Sequence, residues 1–372
     1  MTEFELISRY FTAASSEQAL SQSVACTTIA KGVGDDAAVV ALSSPTQWVT
    51  CVDTLVQGRH FAEDWDQVET LAFAIGYKSV AVNVSDIAAM GAKPHSILLA
   101  LALPQQLAKE AWLSDFAKGL FHACSQFGVQ LIGGDTTRSE KLVISVTANG
   151  FIDKALTPIY RSGAQVGDKV YVSGTLGDAC YALYHPDTQV GKQLSHRLNM
   201  PTPRISLGNT LAAEGDVTAM IDVSDGLVQD LSHICEQSDV AVQLHLDKLP
   251  TSSALQNIEL TQRLRCQLTG GDDYELLFTL PASVSLSETL MSTAFTQITC
   301  IGEVVAIDKS VDSRAEDLNQ NNDKLSLIEL RYQGQRLSKQ APYPFTEYPD
   351  LKGYQHFSHA SQLIAEHTDD TQ

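Results

Sequence analysis

Apolar residues recur along this chain in two rhythms, short runs closed by turn residues and longer stretches at helical spacing. Residues 48–53 predict a strand that ends at Asp53. In segment 68–90, Leu71, Ile75, Val80, Val84, Ile87 and Ala88 stand at near-helical intervals, with Gly91 and Pro94 as the stop. Asn83 and Asp86 then share one helix face. His95 to Leu103 is an apolar strand closed by Pro104, and 106–127 is a helix that turns Trp112, Phe116, Leu120 and Phe127 inward. A strand at 129–132 runs into Gly133-Gly134-Asp135, and one at 142–151 closes the first half. A short amphipathic helix is expected at 4–12.

A second unit begins near residue 155. Strand 170–173 meets Gly174-Thr175-Leu176-Gly177-Asp178, which opens a helix, and strand 217–223 leads into the turn Ser224-Asp225-Gly226. A helix follows to about Gln237, and strand 274–280 comes straight after Gly270-Gly271. Alternating strands and helices make this an α/β (α+β) protein of two domains, 1–153 and 154–360, with a tail at 361–372. Residues 308–326 are polar, Asn-rich and weakly periodic, the composition of a disordered surface insertion.

Aspartate keeps returning where an apolar run meets small residues: Gly34-Asp35-Asp36, Asp53-Thr54, Ser85-Asp86, Gly134-Asp135, Asp222 to Gly226 and Gly271-Asp272-Asp273. Any one instance is ordinary turn chemistry. Six together are a different matter, because binding residues concentrate on loops held by a rigid scaffold. Two bare carboxylates about 4 Å apart repel by roughly 4 kcal/mol at an effective dielectric near 20, so a site that gathers several needs cations between them. Mg²⁺ prefers such hard oxygen ligands and is commonly shared with substrate phosphates. Asp86 is the member hardest to dismiss, since the C-terminal half of a helix repels negative charge.

Composition narrows the partners. The chain has 372 residues, 44% apolar, with a formal charge of −19. That charge disfavours nucleic acid or an anionic membrane as partner. Seven scattered cysteines without a C-x-x-C pair argue for a reducing cytoplasm over a disulfide framework or a zinc site. The start lacks a basic segment followed by an apolar run, and no stretch approaches a membrane span. There is no G-x-x-x-x-G-K-[ST] loop and no His-Arg-Asp catalytic loop, so a kinase here belongs to neither common class. His60 is a surface histidine or a substrate contact; Arg161 is a phosphate clamp, through its planar fork, or a surface charge at the domain join. Cys51 reads as a half-buried small hydrophobe.

Read in order, Gly34-Asp35-Asp36, Asp53-Thr54-Leu55-Val56, Ala81-Val82-Asn83-Val84-Ser85-Asp86-Ile87-Ala88-Ala89-Met90-Gly91, Leu131-Ile132-Gly133-Gly134-Asp135-Thr136-Thr137-Arg138, Asp222-Val223-Ser224-Asp225-Gly226 and Gly270-Gly271-Asp272-Asp273-Tyr274-Glu275 closely resemble the thiamine-monophosphate kinase family. That family sits in the superfamily of aminoimidazole ribonucleotide synthetase. The resemblance spans about residues 5 to 357. It implies a two-domain aminoimidazole ribonucleotide synthetase-like fold, a homodimer whose N-terminal sheets pair into a barrel, and ATP in a cleft at the dimer interface. It implies phosphorylation of thiamine monophosphate by ATP, with several Mg²⁺ ions and direct in-line transfer. By the same resemblance Asp36, Asp53, Asp86, Asp135, Asp222 and Asp225 are metal ligands; Gly134, Asp135, Arg161 and Ser224 bind ATP; and His60, Asp272 and Tyr354 bind the acceptor. Two departures stand out: Cys51-Val52 precede Asp53 where the family often has hydroxyl residues, and Gly-Gly-Asp-Asp replaces the common Gly-Gly-Glu-Asp. Other readings are another ATP-using member of the superfamily, or a regulator that binds nucleotide and cation without turnover. Selenophosphate synthetase is disfavoured for want of a glycine-rich lysine context at Cys26, and the carbamoyl dehydratase for want of a C-terminal Cys.

Overall fold

The computed structural model describes residues 27–31, 39–42, 46–61, 64, 68, 70–286, 296–307, 327–338 and 344–345. The expected helix at 4–12, Asp36, Tyr354, the insertion at 308–326 and the tail lie outside the described residues.

Alternation in Thr46–Val56 builds the first long strand: Cys51, Asp53 and Leu55 face inward while Val52 and Thr54 are exposed. After the hairpin β1 (Thr27–Lys31) and β2 (Val39–Leu42), this strand is β3, followed by α1 (Ala72–Ala89), β4 (Lys93–Pro104), α2 (Glu110–Phe127), β5 (Gln130–Ser139) and β6 (Val143–Asp153). The sheet order is β3-β6-β4-β5, with β4 and β5 parallel and the other pairs antiparallel. The four inward residues expected on α2 are all buried. Gly76 and Gly119 let α1 and α2 touch: a Cβ on Gly119 would stand 1.9 Å from the Phe73 carbonyl oxygen.

Two expected strand ends are corrected. The first strand does not stop at Asp53 but pairs with β6 as far as Val56 opposite Val143. Likewise Gly133-Gly134-Asp135 is no turn; it continues β5 to Ser139 along β4. Glycine is there because the backbones meet so closely that a Cβ on Gly134 would lie 1.9 Å from the Leu99 carbonyl oxygen, at a φ of +153°. The second helix starts at Glu110, later than the expected 106.

The second unit adds β7 (Lys169–Ser173), α3 (Asp178–Tyr184), α4 (Gln189–Asn199), α5 (Ile205–Glu214), β8 (Ala219–Asp222), α6 (Leu227–Ser238), β9 (Ala241–His245), α7 (Leu260–Thr269), β10 (Leu276–Leu280), β11 (Ile298–Val305), β12 (Ile328–Tyr332) and β13 (Gln335–Arg336). Its sheet runs β13-β12-β9-β11-β7-β10-β8, antiparallel except where β12 meets β9. Leu207, Leu211, Met220 and Phe278 share one apolar cluster with Ile87, Leu99 and Val146, so burial joins the two units. No helix among the described residues is long and apolar enough to cross a membrane.

Candidate active site

Helix α1 is buried almost along its whole length, between the first sheet, α2, α5 and β8. Such a helix tolerates polar side chains only if each finds a partner. Four do, and their partners draw the site. Ser79 bonds back to the Gly76 carbonyl at 2.8 Å. Asn83 donates to the Ser79 carbonyl at 3.0 Å and accepts from the Asp53 N–H at 2.9 Å, tying β3 to α1. Ser85 donates to Oδ2 of Asp222 at 2.6 Å, and Lys78 pairs with Asp272 at 2.8 Å. The last two contacts cross between the units.

Three of the expected metal ligands thereby come together. Burial, then the charge of Asp222, then that of Asp53, lift the Asp86 carboxyl to about 8. Burial also lifts Asp222 to about 6; the Ser85 hydroxyl works against the rise, and the Asp53 charge adds to it. Arg161, exposed at the start of the second unit, lies within electrostatic reach of both carboxyls and opposes the rise. Cys51 donates to the Asn83 carbonyl at 3.3 Å, and burial followed by the Asp86 and Asp53 charges holds its thiol strongly neutral. It is a strand-to-helix tie, with no nucleophilic character.

Among the described residues no three His, Cys, Asp or Glu side chains close around one point as a ready cage. Clustered carboxylates, Asp222 buried and Asp53 and Asp86 half-buried, fit Mg²⁺ nonetheless, because that ion takes one or two carboxylates and keeps waters and substrate phosphates. Asp135 is placed elsewhere. Asp53, Val146, Leu99 and Gly134 form one row across the sheet, so β3 and β5 are three strand spacings apart, about 14 Å. Asp135 lies in the next row with Thr54, Ser145 and Ala100 and is exposed on the opposite, outer face.

In the second unit one buried carboxylate shapes the loop after β8. Oδ2 of Asp230 accepts from the N–H groups of Ser224, Asp225 and Gly226 at 3.0, 3.1 and 3.1 Å. That leaves Asp225 at the tip, where Gln229 donates to it at 3.1 Å. The neighbouring loop is laid against this one: Asp272 N–H donates to the Ser224 carbonyl at 2.9 Å, and a Cβ on Gly271 would meet that same oxygen at 2.3 Å. Ser224 and Asp272 are thus neighbours. His60 sits in the turn after β3, its Nδ1 accepting from the Val56 N–H at 3.0 Å.

The rest of Asp272-Asp273-Tyr274-Glu275 anchors the loop. Asp273 takes the Gly177 N–H with both oxygens at 3.0 Å, so Gly174-Thr175-Leu176-Gly177 spends that donor internally. Glu275, fully buried, accepts from Ser173 at 2.6 Å, from Arg197 at 2.8 Å and from both nitrogens of an Arg204 fork. Sequence reasoning missed Lys78, Ser85, Asp230, Arg197 and Arg204. Only Asp230 carried a signal, an acid in the first turn of a helix directly after the Asp-Gly turn.

Comparison with known proteins identifies the family and the fold. The family model described as AIR synthase related protein, N-terminal domain, matches residues 34–152, and its C-terminal counterpart matches 165–314. A thiamine-monophosphate kinase of Haemophilus influenzae is 39% identical over 316 residues, 82% of this chain and 89% of that protein. The crystal structure of thiamine-monophosphate kinase from Stenotrophomonas maltophilia is 40% identical and superposes with a TM-score of 0.70 over 83% of this chain and 95% of that one. AaThiL complexed with AMPPCP and TMP is 28% identical, with a TM-score of 0.64 over 84% of this chain and 88% of that one. The chain belongs to the thiamine-monophosphate kinase family, on an AIR synthase related fold.

Proposed function

We propose that this chain transfers the γ-phosphate of ATP to thiamine monophosphate, forming thiamine diphosphate and ADP. The observation that carries the reading is the group of Asp53, Asp86 and Asp222, assembled from β3, α1 and β8 and joined through Lys78 and Ser224 to the Asp272 loop. A relative holding both an ATP analogue and TMP adds support. The attacking atom is an acceptor phosphate oxygen already ionised at neutral pH, so no general base is required. What remains is positioning and charge neutralisation, the main sources of rate in phosphoryl transfer.

Asp53, Asp86, Asp222 and Asp225, together with Asp36 and Asp135, would hold several Mg²⁺ ions, whose chemistry is to neutralise the phosphate oxygens. Arg161 and Ser224 orient the nucleotide, and Gly134 lets it approach the strand. His60, Asp272 and Tyr354 receive the acceptor, and transfer is in line. Asp230 holds the Ser224–Gly226 loop rigid, and Cys51 and Asn83 hold Asp53.

A homodimer completes this reading. The outer face of the first sheet exposes Trp48, Val52 and Leu98, and β3 and β5 are its edges. Pairing with a second copy covers that face and both edges in one barrel. It would also bring Gly134 and Asp135, remote from Asp53 in one protomer, to the partner's carboxylates. Light scattering at micromolar concentration tests this part: an active species near 40.3 kDa would overturn it. A coupled assay of ADP release with thiamine monophosphate tests the activity, and ATP binding without acceptor-dependent ADP would leave only a nucleotide-binding protein.

A further inference from the structure

Lys78 is a cation in the wrong place for a surface residue. Its side chain is 6% exposed, on a helix otherwise given to apolar packing. A buried ammonium is retained only where it is paired. Its partner is Oδ1 of Asp272 in the other unit, at 2.8 Å, and the Tyr274 hydroxyl donates to that same oxygen at 3.0 Å. Oδ2 accepts no hydrogen bond from a described residue, and the Asp272 side chain keeps 27% of its surface. Both Asp272 and Tyr274 adopt left-handed backbone, with φ of +67° and +51°, which side-chain-bearing residues hold only when their surroundings over-determine it. The loop is thus aimed, with one carboxylate oxygen gripped and the other presented. Tyr274 also lies within electrostatic reach of Asp53 and Asp222. Lys78 precedes Asp86 by eight residues on α1, about 12 Å along the axis at 1.5 Å per residue. One helix therefore carries a metal-side carboxylate near its C-terminal end and grips the Asp272 loop nearer its start.

We propose that Lys78 is a positioning residue for the acceptor: by pinning Oδ1 of Asp272 across the junction of the two units, it turns Oδ2 towards the cationic, N–H-bearing organic end of thiamine monophosphate. This rests on the kinase reading above. The residue acts through Asp272 and touches neither phosphate nor nucleotide.

Steady-state kinetics of Lys78→Met and Lys78→Arg with ATP and thiamine monophosphate test it. Lys78→Met raises the acceptor's KM at least tenfold while the KM for ATP stays within twofold, and Lys78→Arg restores part of the loss. Asp272→Asn raises the same KM, and the double variant Lys78→Met/Asp272→Asn is no worse than the poorer single one, as for two residues acting in one unit. If Lys78→Met fails to fold, Lys78→Arg and Asp272→Asn still carry the comparison through the split between the two KM values. An unchanged acceptor KM, or equal rises for both substrates with a lowered Tm, assigns Lys78 to packing and overturns the proposal. No turnover of thiamine monophosphate by the wild-type chain would sink the kinase reading and this inference together. Turnover with an unchanged acceptor KM in Lys78→Met would sink this inference alone.

Discussion

Asp86→Asn should make the metal-free protein more stable and the enzyme nearly inactive. Asp86 is half-buried beside two further carboxylates, and its carboxyl is lifted from 3.8 to about 8, by desolvation first and by the Asp222 and Asp53 charges after it. With the folded-state value raised, the folded chain holds a proton that the unfolded chain releases. Stability from this group is therefore complete below about pH 4 and is lost as pH rises to about 8. At pH 8 that loss approaches about 6 kcal/mol, at 1.36 kcal/mol per pK unit. Asparagine removes the ionisation but leaves an amide to bury, at about 1–3 kcal/mol; the repulsion between Asp222 and Asp53 is the same in both proteins and cancels. A net gain of about 3–5 kcal/mol remains, which moves Tm by roughly 6–20 °C at about 2–4 °C per kcal/mol. Thermal melts at pH 8 in EDTA read the gain, which should shrink at pH 5, where the wild-type group is already protonated. Turnover with Mg²⁺ and ATP should fall by about two orders of magnitude or more, as for loss of a key electrostatic group. A lower Tm than wild type at pH 8 in EDTA, or a kcat within threefold of wild type, would refute the reasoning.

Asp225→Asn keeps the loop, because Asp230 and not Asp225 holds its backbone, so kcat should drop by about two orders of magnitude with Tm unchanged; a simple turn residue would leave kcat alone. Glu275→Gln strands the Arg197 and Arg204 guanidiniums in the interior and should cost about 3–5 kcal/mol in urea unfolding, whereas a solvated pair would cost under about 1. Gly134→Ala drives a Cβ to 1.9 Å from the Leu99 carbonyl and should lower stability by more than about 2 kcal/mol; a Tm within error of wild type would mean β5 sits farther from β4.

The periodic elements were legible. Segment 68–90 is α1 within a few residues, because its apolar spacing is helical whatever surrounds it. Asp53 and Gly133-Gly134 were misread as strand ends, since Asp and Gly are poor strand residues in isolation. In the fold, long pairing partners hold them in the ladder: β6 beside Asp53, and β4 beside Gly134. Of the expected ligands, Asp53, Asp86 and Asp222 do meet, and Ser224 neighbours Asp272. The separation of Asp53 from Asp135 depended on strand order, which local pattern does not encode. Lys78, Arg197 and Arg204 were invisible for a related reason. Each is an ordinary cation until the fold buries it against a carboxylate far away in the chain.

The central claim stands or falls on the products formed from thiamine monophosphate. Purified chain with Mg²⁺ and ATP, followed by phosphorus-31 NMR and chromatography of the thiamine species, should give thiamine diphosphate and ADP in equal amounts. Free thiamine, which lacks the attacking phosphate, should give neither. AMP with thiamine diphosphate made directly from thiamine, or no ADP formed in the presence of thiamine monophosphate, would contradict the account.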